Sequence, residues 1–479
     1  MASEKPRRNV DGDRSGNKRP RLTENAKTAL LTAVSTLLFV VLVIGIYVKA
    51  GSDAYKKHCS FDSYTLQAMA WRRGETKLDK NYPHLELAII NRPWLETHDK
   101  NDYMAYRETF GDINAPIQHV EGNEYYVSFP PVPSVPMFVM SFFTGRETPD
   151  NLFSILYAAG SFALAVLICR RSGYGCVLSL AGGIFSGVAS GALFLCANKY
   201  AGGPWFAAQN LAILFTFAAF YSVLGKRRAG TYLSFAFLAL AVGCRPFQIL
   251  YFIPLAYIAA KKEDFRVVRT LPYYVAPAVI GGSYMIYNYV RFGDPLEFGH
   301  NFLPEFMRVP DGQFSTAYIK GNAKAFFRIF PSYSDGKLEF TRYGFAFWVS
   351  NVIFVLAAVA LILYAIYVFR ERRARRFPFF RGAVFTEAAL FALAGAVHVF
   401  LLLLHRTAGG WQFGMRYTVD IIPAMLMICV YCCRPFFAKE IADKSGPAPV
   451  FRGALAALAV QLLVFGAWIN IYGSYMMFS

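Results

Sequence analysis

The 479-residue chain is short of charge: Asp, Glu, Lys and Arg make up 17% of it, against 55% hydrophobic residues. Soluble domains carry about 25% charged residues, so a water-facing globule is excluded. Acidic residues are the scarcer sign, 31 Asp and Glu against 49 Lys and Arg, and the formal net charge is +18. In a soluble protein that excess would suggest nucleic acid. Here the basic residues cluster in short loops between apolar runs, which is how membrane topology is set, and no nucleic-acid partner is implied. Neither a phosphate-cradling glycine loop, nor a Rossmann pattern, nor a serine triad is present. The eight cysteines build no framework. Cys169, Cys196, Cys244 and Cys429 fall in or at the ends of apolar runs, Cys432 and Cys433 close another, and Cys59 stands alone in the first loop. No zinc spacing occurs among them, so they read as reduced helix residues.

What the chain has in abundance is long apolar runs, and they predict a polytopic all-α membrane protein. The first run, Thr28 to Val48, is long enough to cross about 30 Å of hydrocarbon. It follows a basic tail, 1–27, expected to be disordered and cytoplasmic, and the remainder, 28–479, reads as one helical domain. Further candidate spans lie near 150–169, 176–196, 205–224, 231–244, 247–260, 272–289, 343–367, 383–404, 418–433 and 453–472, about eleven in all with the first. Arg170 and Arg171, the 225–230 and 261–269 loops, 370–381 and Arg434 to Arg452 then share the tail's side. This places the N-terminus inside, in the plasma (inner) membrane. Two runs, 231–244 and 247–260, are short and separated only by "CRPFQ", which suggests a hairpin dipping to membrane depth. Two large loops are left outside, 50–133 and 290–341, with shorter ones holding "NKYAGGPW" and "HRTAGGWQFGMRY". Without an internal repeat, and with the spans nearly uniformly apolar, polar chemistry collects in those outer loops. That is the distribution expected of an enzyme at the outer face; a lipid or small-molecule transporter or flippase is the competing reading.

In the first loop, Ser60 to Arg73 predicts a short surface helix with Ser60 as N-cap and Phe61, Tyr64, Ala68 and Trp71 on one face. A polar stretch follows, with "YPHLELA" (82–88) and "HDKND" (98–102), where Asp99 and Asp102 suit a solvated loop. The loop returns through "NEYYVSFPPVPSVPMFVMSFFTG" (123–145), whose apolar piece is too short to span and suits a juxtamembrane helix.

A membrane helix, an acid opening a surface helix, a polar loop and an aromatic–proline return resemble the GT-C superfamily of membrane glycosyltransferases, near the bacterial relatives of the protein O-mannosyltransferases and aminoarabinose transferases. Tyr126 to Pro133 is similar to that group's first-loop stretch, and "CRPFQILYFIPL" (244–255), "NYVRFGDPLEFGHNF" (288–302) and "GGWQFGMRYTVDIIPAML" (409–426) extend the likeness along the chain. The resemblance implies a GT-C-type helix bundle with juxtamembrane helices in its first outer loop. It also implies a polyprenyl-phosphate-linked sugar as donor, an acceptor (glycan, lipid or protein) on the extracytoplasmic side, and inversion at the anomeric carbon. Asp62 is the implied base. The superfamily's usual paired acid is missing, because Ser63 follows Asp62; a divalent cation, Mg or Mn, is therefore an optional cofactor, and no metal ligand is assigned. The chemistry agrees: a phosphate leaves as an anion, so one carboxylate to take the acceptor proton and cations to hold the phosphate are enough.

Arg245, Arg291 and Arg416 are the phosphate candidates, with Lys199 and Arg406 on the same side in weaker context. An arginine at the hydrocarbon edge is costly unless it snorkels or meets an anion. Asp53 is the runner-up acid, and Tyr64, Tyr126, His300 and Trp411 are candidate acceptor or sugar contacts, with His405 beside them. Each also has a structural reading. Asp62 can be a first-turn acid on a helix dipole, Trp411 part of an interfacial aromatic belt, and either histidine a satisfied loop residue.

Overall fold

In the computed structural model of the chain, the described residues are 23–82, 84–92, 96, 121–303, 311–375, 383–438 and 448–478. Most of the basic tail, Asp99, Asp102 and the 376–382 part of one basic loop lie outside them. Helices of ten residues or more are numbered here in chain order. The first is α1 (Glu24–Lys49), which begins four residues before the apolar run. Thr23 explains the early start: its Oγ1 accepts from the Ala26 amide, and Glu24 occupies the first turn. Glu24 in turn receives Lys27 at 2.9 Å and Arg170 at 3.0 Å, tying the tail end of α1 to a neighbouring helix.

The protein is a polytopic all-α membrane protein. Among the described residues, seven helices are long and apolar enough to cross a bilayer: α1, α4 (Asp150–Arg171), α6 (Pro204–Val223), α11 (Ile353–Arg375), α12 (Ala383–Leu404), α13 (Ile422–Phe437, with its leading turn Arg416–Ile421) and α14 (Ala448–Met476). The other expected spans are shorter or broken. α5 (Cys176–Gly187) and α7 (Arg228–Val242) have 12 and 15 residues. The 247–260 run is a 3-10 turn leading into α8 (Phe252–Lys262), and the 272–289 run becomes a 3-10 turn leading into α9 (Val275–Phe292). The interruption at 243–246 follows from Pro246, which cannot donate to a continuing helix and disfavours helical backbone at Arg245 (φ −144°, ψ 106°).

α6 is packed all round, which a helix with apolar residues on every face requires. Gly160, Gly182 and Gly183 have no room for a Cβ against neighbouring side chains, so small residues set the approach of α4, α5 and α6.

The first long loop folds into a small body of its own at the end of the bundle remote from the tail. It holds α2 (Ser63–Arg72), the antiparallel pair β1 (Leu87–Asn91) and β2 (Asn123–Val127), with Leu87 opposite Val127, and α3 (Ser134–Thr144). Tyr64, Leu66 and Ala68 of α2 join Leu87, Ile89, Tyr125 and Val127 in one core that rests on Ala207 and Ala208 of α6. The aromatic face of α2 is thus inward, as its spacing predicts. Its start differs: Asp62, not Ser60, occupies the N-cap, and without a side-chain capping bond. α10 (Ile319–Arg328) and a hairpin, β3 (Ser332–Ser334) and β4 (Lys337–Glu339), complete the second long loop. Asp335 and Gly336 turn that hairpin with φ of 50° and 75°, the left-handed pair such a turn needs.

Candidate active site

A chamber of about 940 Å³ opens between the first-loop body and the loops at the same ends of the spans. Its walls come from eight stretches that sequence separates widely: Phe61 to Glu86, 129–130, 200–208, 244–247, 296–301, 313–314, 342–343 and 402–417. One wall is aromatic. Phe61 lies 5.2 Å from Tyr200 and 5.0 Å from Trp205, and Trp411 lies 5.3 Å from Tyr200, ring centre to ring centre. Trp411 holds this place with φ of 38°, a left-handed backbone that costs a bulky residue of order 1 kcal/mol or more. Gln412 braces the same loop: its Nε2 donates to the carbonyls of Tyr343 (2.9 Å) and Ala408 (3.0 Å), and its Oε1 accepts from the Arg416 amide (3.1 Å).

A second part of the wall is cationic. Arg245, released from α7 by the break before Pro246, donates from Nε to Asp420 at 3.1 Å. The other oxygen of Asp420 accepts from Gln209 at 3.1 Å, and its backbone carbonyl accepts from Gln248 and Tyr251. Asp420 is 1% exposed. Arg416 sits one turn earlier, 5% exposed, with its guanidinium 5.3 Å from the Phe206 ring and 5.0 Å from that of Tyr417. Its Nε has no hydrogen-bond partner, and neither has the buried hydroxyl of Tyr64, another chamber residue. Native proteins rarely leave such groups unmatched, because each buried orphan costs about 1–3 kcal/mol. Arg342 adds a third cation at the exposed lip.

Two histidines share this wall. Burial, with His405 and Arg245 nearby, pushes the His300 pKa down to about 4, and burial lowers that of His405. His405 Nε2 is 3.2 Å from the Gln313 side-chain amide nitrogen.

The sequence-predicted residues divide sharply. Arg245, Arg416, Tyr64, His300 and Trp411 meet in the chamber, as does His405. Arg291 does not. It is 0% exposed and donates to the Val127 carbonyl (2.8 Å) and Asn288 (2.9 Å), clamping α9 to β2. Lys199 turns over the Tyr200 ring at 5.0 Å. The amide of Arg406 donates to Gln313, and neither Lys199 nor Arg406 lines the chamber. Asp53 forms an exposed ion pair with Lys57 at 2.7 Å, and Tyr126 is buried with its hydroxyl on Glu124. The convergence of three arginines therefore holds for two.

Asp62 lies one layer behind the wall formed by Phe61 and Tyr64. Its Oδ2 is 3.0 Å from Arg146 Nε and 3.4 Å from His58, while its buried Oδ1 has no hydrogen-bond partner. His58 Nδ1 is 3.6 Å from Asp150, whose carboxylate raises the His58 pKa above its ordinary value. Among the described residues no group of three or more His, Cys, Asp or Glu side chains is arranged to hold a metal. With no such group beside Asp62, the donors here do not fit a divalent cation.

Sequence reasoning missed Glu86, Asp420, Gln209 and Arg342. Glu86 is a carboxylate on the chamber wall, accepting from Trp205 Nε1 at 2.9 Å, with its carbonyl held by Ser128 at 2.6 Å. Asp420 and Gln209 also correct the expectation of uniformly apolar spans. An acid inside the 418–433 run was the available signal, since such residues in a span are a functional mark.

No family model and no curated protein matches the chain. Among solved structures it is similar to the crystal structure of ArnT from Cupriavidus metallidurans bound to undecaprenyl phosphate. Identity is 13%, over 95% of this chain and 76% of that one, with a TM-score of 0.40. The apo state of the same protein gives 12% identity over 92% and 75%, with a TM-score of 0.44.

Proposed function

We propose that the protein is a membrane glycosyltransferase. It moves a sugar from a polyprenyl-phosphate-linked donor to an acceptor hydroxyl that enters the chamber from the extracytoplasmic side. One observation carries the reading: Arg416 Nε and the Tyr64 hydroxyl are orphaned in a chamber whose neighbouring arginine, Arg245, is only partly committed to Asp420. Such a wall suits an anion with several acceptor oxygens, and a phosphate is one. The aromatic wall suits the faces of a sugar ring, with Glu86 positioned to accept from its hydroxyls.

In the reaction, the acceptor oxygen forms a bond to the anomeric carbon as the bond from that carbon to the phosphate oxygen breaks, with inversion. The lipid phosphate leaves as an anion and is stabilised where its charge grows, by Arg245 and Arg416. The acceptor proton passes to a carboxylate. Asp62 is the proposed base. Its Oδ1 is unmatched, the nearby Phe61 and Tyr64 line the chamber, and the Arg146 arm that covers it is 46% exposed, so displacing that arm is cheap. The buried Asp420 fixes the direction of Arg245 and so positions the phosphate site without touching substrate.

A lipid translocator is the second reading, favoured by the buried Gln209–Asp420–Arg245 network within the spans. The deciding experiment supplies purified protein with a labelled polyprenyl-phosphate sugar and an envelope extract as acceptor pool. Transfer of label that Asp62→Asn removes by about 10²–10⁴-fold supports the reading. Unchanged transfer in Asp62→Asn, with loss in Glu86→Gln, moves the base to Glu86. Movement of unmodified lipid across proteoliposomes, with no transfer, would favour the translocator.

A further inference from the structure

The second long loop carries a basic row that the chamber does not use. Lys320, Lys324 and Arg328 recur every fourth residue on α10, so they share one face, and all are exposed. The opposite face is buried through Asn322 and Phe326. Among the described residues none of the three cations has an acidic side chain within ion-pair distance. Topology explains the basic clusters at the tail ends of the spans, whereas Lys320, Lys324 and Arg328 lie at the chamber end, where it does not.

Two independent features set their depth. Asn322 Nδ2 donates to the carbonyls of Leu403 (3.0 Å) and His405 (2.7 Å), which end α12, so α10 is pinned at the level where a span leaves the hydrocarbon. Beside it, Phe327, Phe330 and Trp348 are exposed aromatic side chains, with Phe330 and Trp348 stacked edge-on at 5.6 Å. Exposed aromatics at such a level mark the boundary between headgroups and acyl chains. A helix with cations on one side of that boundary and Phe327 among them is built to lie in the interface.

We propose that α10 is a seat for anionic phospholipid headgroups of the leaflet on the chamber side, held by Lys320, Lys324 and Arg328. The apolar part of the lipid lies along Phe327, Phe330 and Trp348. The seat is coupled rigidly to the chamber: Gln313 and Phe314, which line it, precede α10 by a few residues, and Ser315 donates to the Leu404 carbonyl at 2.9 Å. The proposal stands whether or not the chamber transfers sugar.

The test uses the full-length purified protein in detergent micelles, titrated with phosphatidylglycerol and, separately, phosphatidylcholine, with bound lipid counted by native mass spectrometry. The variant K320Q/K324Q/R328Q keeps good helix formers on an exposed face. It should weaken the tightest phosphatidylglycerol site at least tenfold, at roughly a factor of five per cation removed. Phosphatidylcholine binding and the melting temperature should stay unchanged. A local readout accompanies it: brominated phosphatidylglycerol should quench Trp348 in the wild type, and the increment should vanish in both Trp348→Phe and the triple variant. Equal phosphatidylglycerol affinity in the triple variant would overturn the proposal. So would parallel loss of both lipids, or binding of a soluble acidic polysaccharide that phosphatidylglycerol cannot displace.

Discussion

Arg416 and Arg291 are both buried arginines at the chamber end of the molecule, and the structure predicts opposite consequences for removing them. Arg416 has an unmatched Nε and ring faces about 5 Å away. In the free protein, Arg416→Gln removes a buried unmatched donor that costs about 1–3 kcal/mol but gives up the attraction to Asp420 and the contacts with the Phe206 and Tyr417 rings, so stability should stay nearly level. With ligand the sign reverses. A charge-assisted hydrogen bond to phosphate is worth about 1.5–3 kcal/mol, so affinity for a polyprenyl phosphate should fall roughly 10- to 150-fold. Arg291 also has an unmatched Nε, but both its terminal nitrogens are paired and its guanidinium lies 4.1 Å from the Tyr287 ring. Arg291→Gln strands the Val127 carbonyl and should cost about 2–4 kcal/mol of stability, leaving affinity nearly unchanged in whatever fraction folds. The assay is a melting curve of each purified variant with and without the lipid phosphate, read with a binding isotherm. If Arg416→Gln melts far lower while binding lipid normally, Arg416 is a structural residue and the anion site is misplaced.

Three further outcomes follow from the same geometry. Glu86→Gln should keep the Trp205 bond and the fold but reduce transfer about 10- to 150-fold, mainly through the sugar's fit, in steady-state kinetics. The raised pKa of His58 means its contact with Asp150 stabilises the first-loop body fully below about pH 6.5 and is lost as pH climbs through the raised value. Melting temperature should thus fall as pH rises above about 6.5, and His58→Gln should flatten that slope. Gly344→Ala places a Cβ against the Gly414 carbonyl at φ of 93°, and should cost about 2 kcal/mol or more by denaturant or thermal unfolding.

Much of this organisation is legible in the residues. Apolar runs locate the spans because hydrocarbon demands them, and the aromatic spacing around Tyr64 and Ala68 places the buried face of α2 correctly. The failures have physical causes. Runs such as 176–196 and 231–244 contain enough apolar residues for burial, yet Gly187 and the break before Pro246 stop the helices short of a full crossing. Arg291 looks like Arg245 in sequence, each beside a turn residue at the end of an apolar run. Only β2 passing within reach converts Arg291 into a brace. Glu86 is one acid in a polar loop until Trp205, more than a hundred residues later, comes to meet it. The partnership of Arg245 with Asp420 spans 175 positions and no local pattern announces it.

The most direct test of the central claim is a cryo-EM map of the protein with a polyprenyl phosphate bound. The account predicts phosphate density in the chamber within hydrogen-bond reach of Arg416 and Arg245, with the Tyr64 hydroxyl turned toward it. Phosphate density outside the chamber, with Arg416 Nε still unmatched, would contradict it.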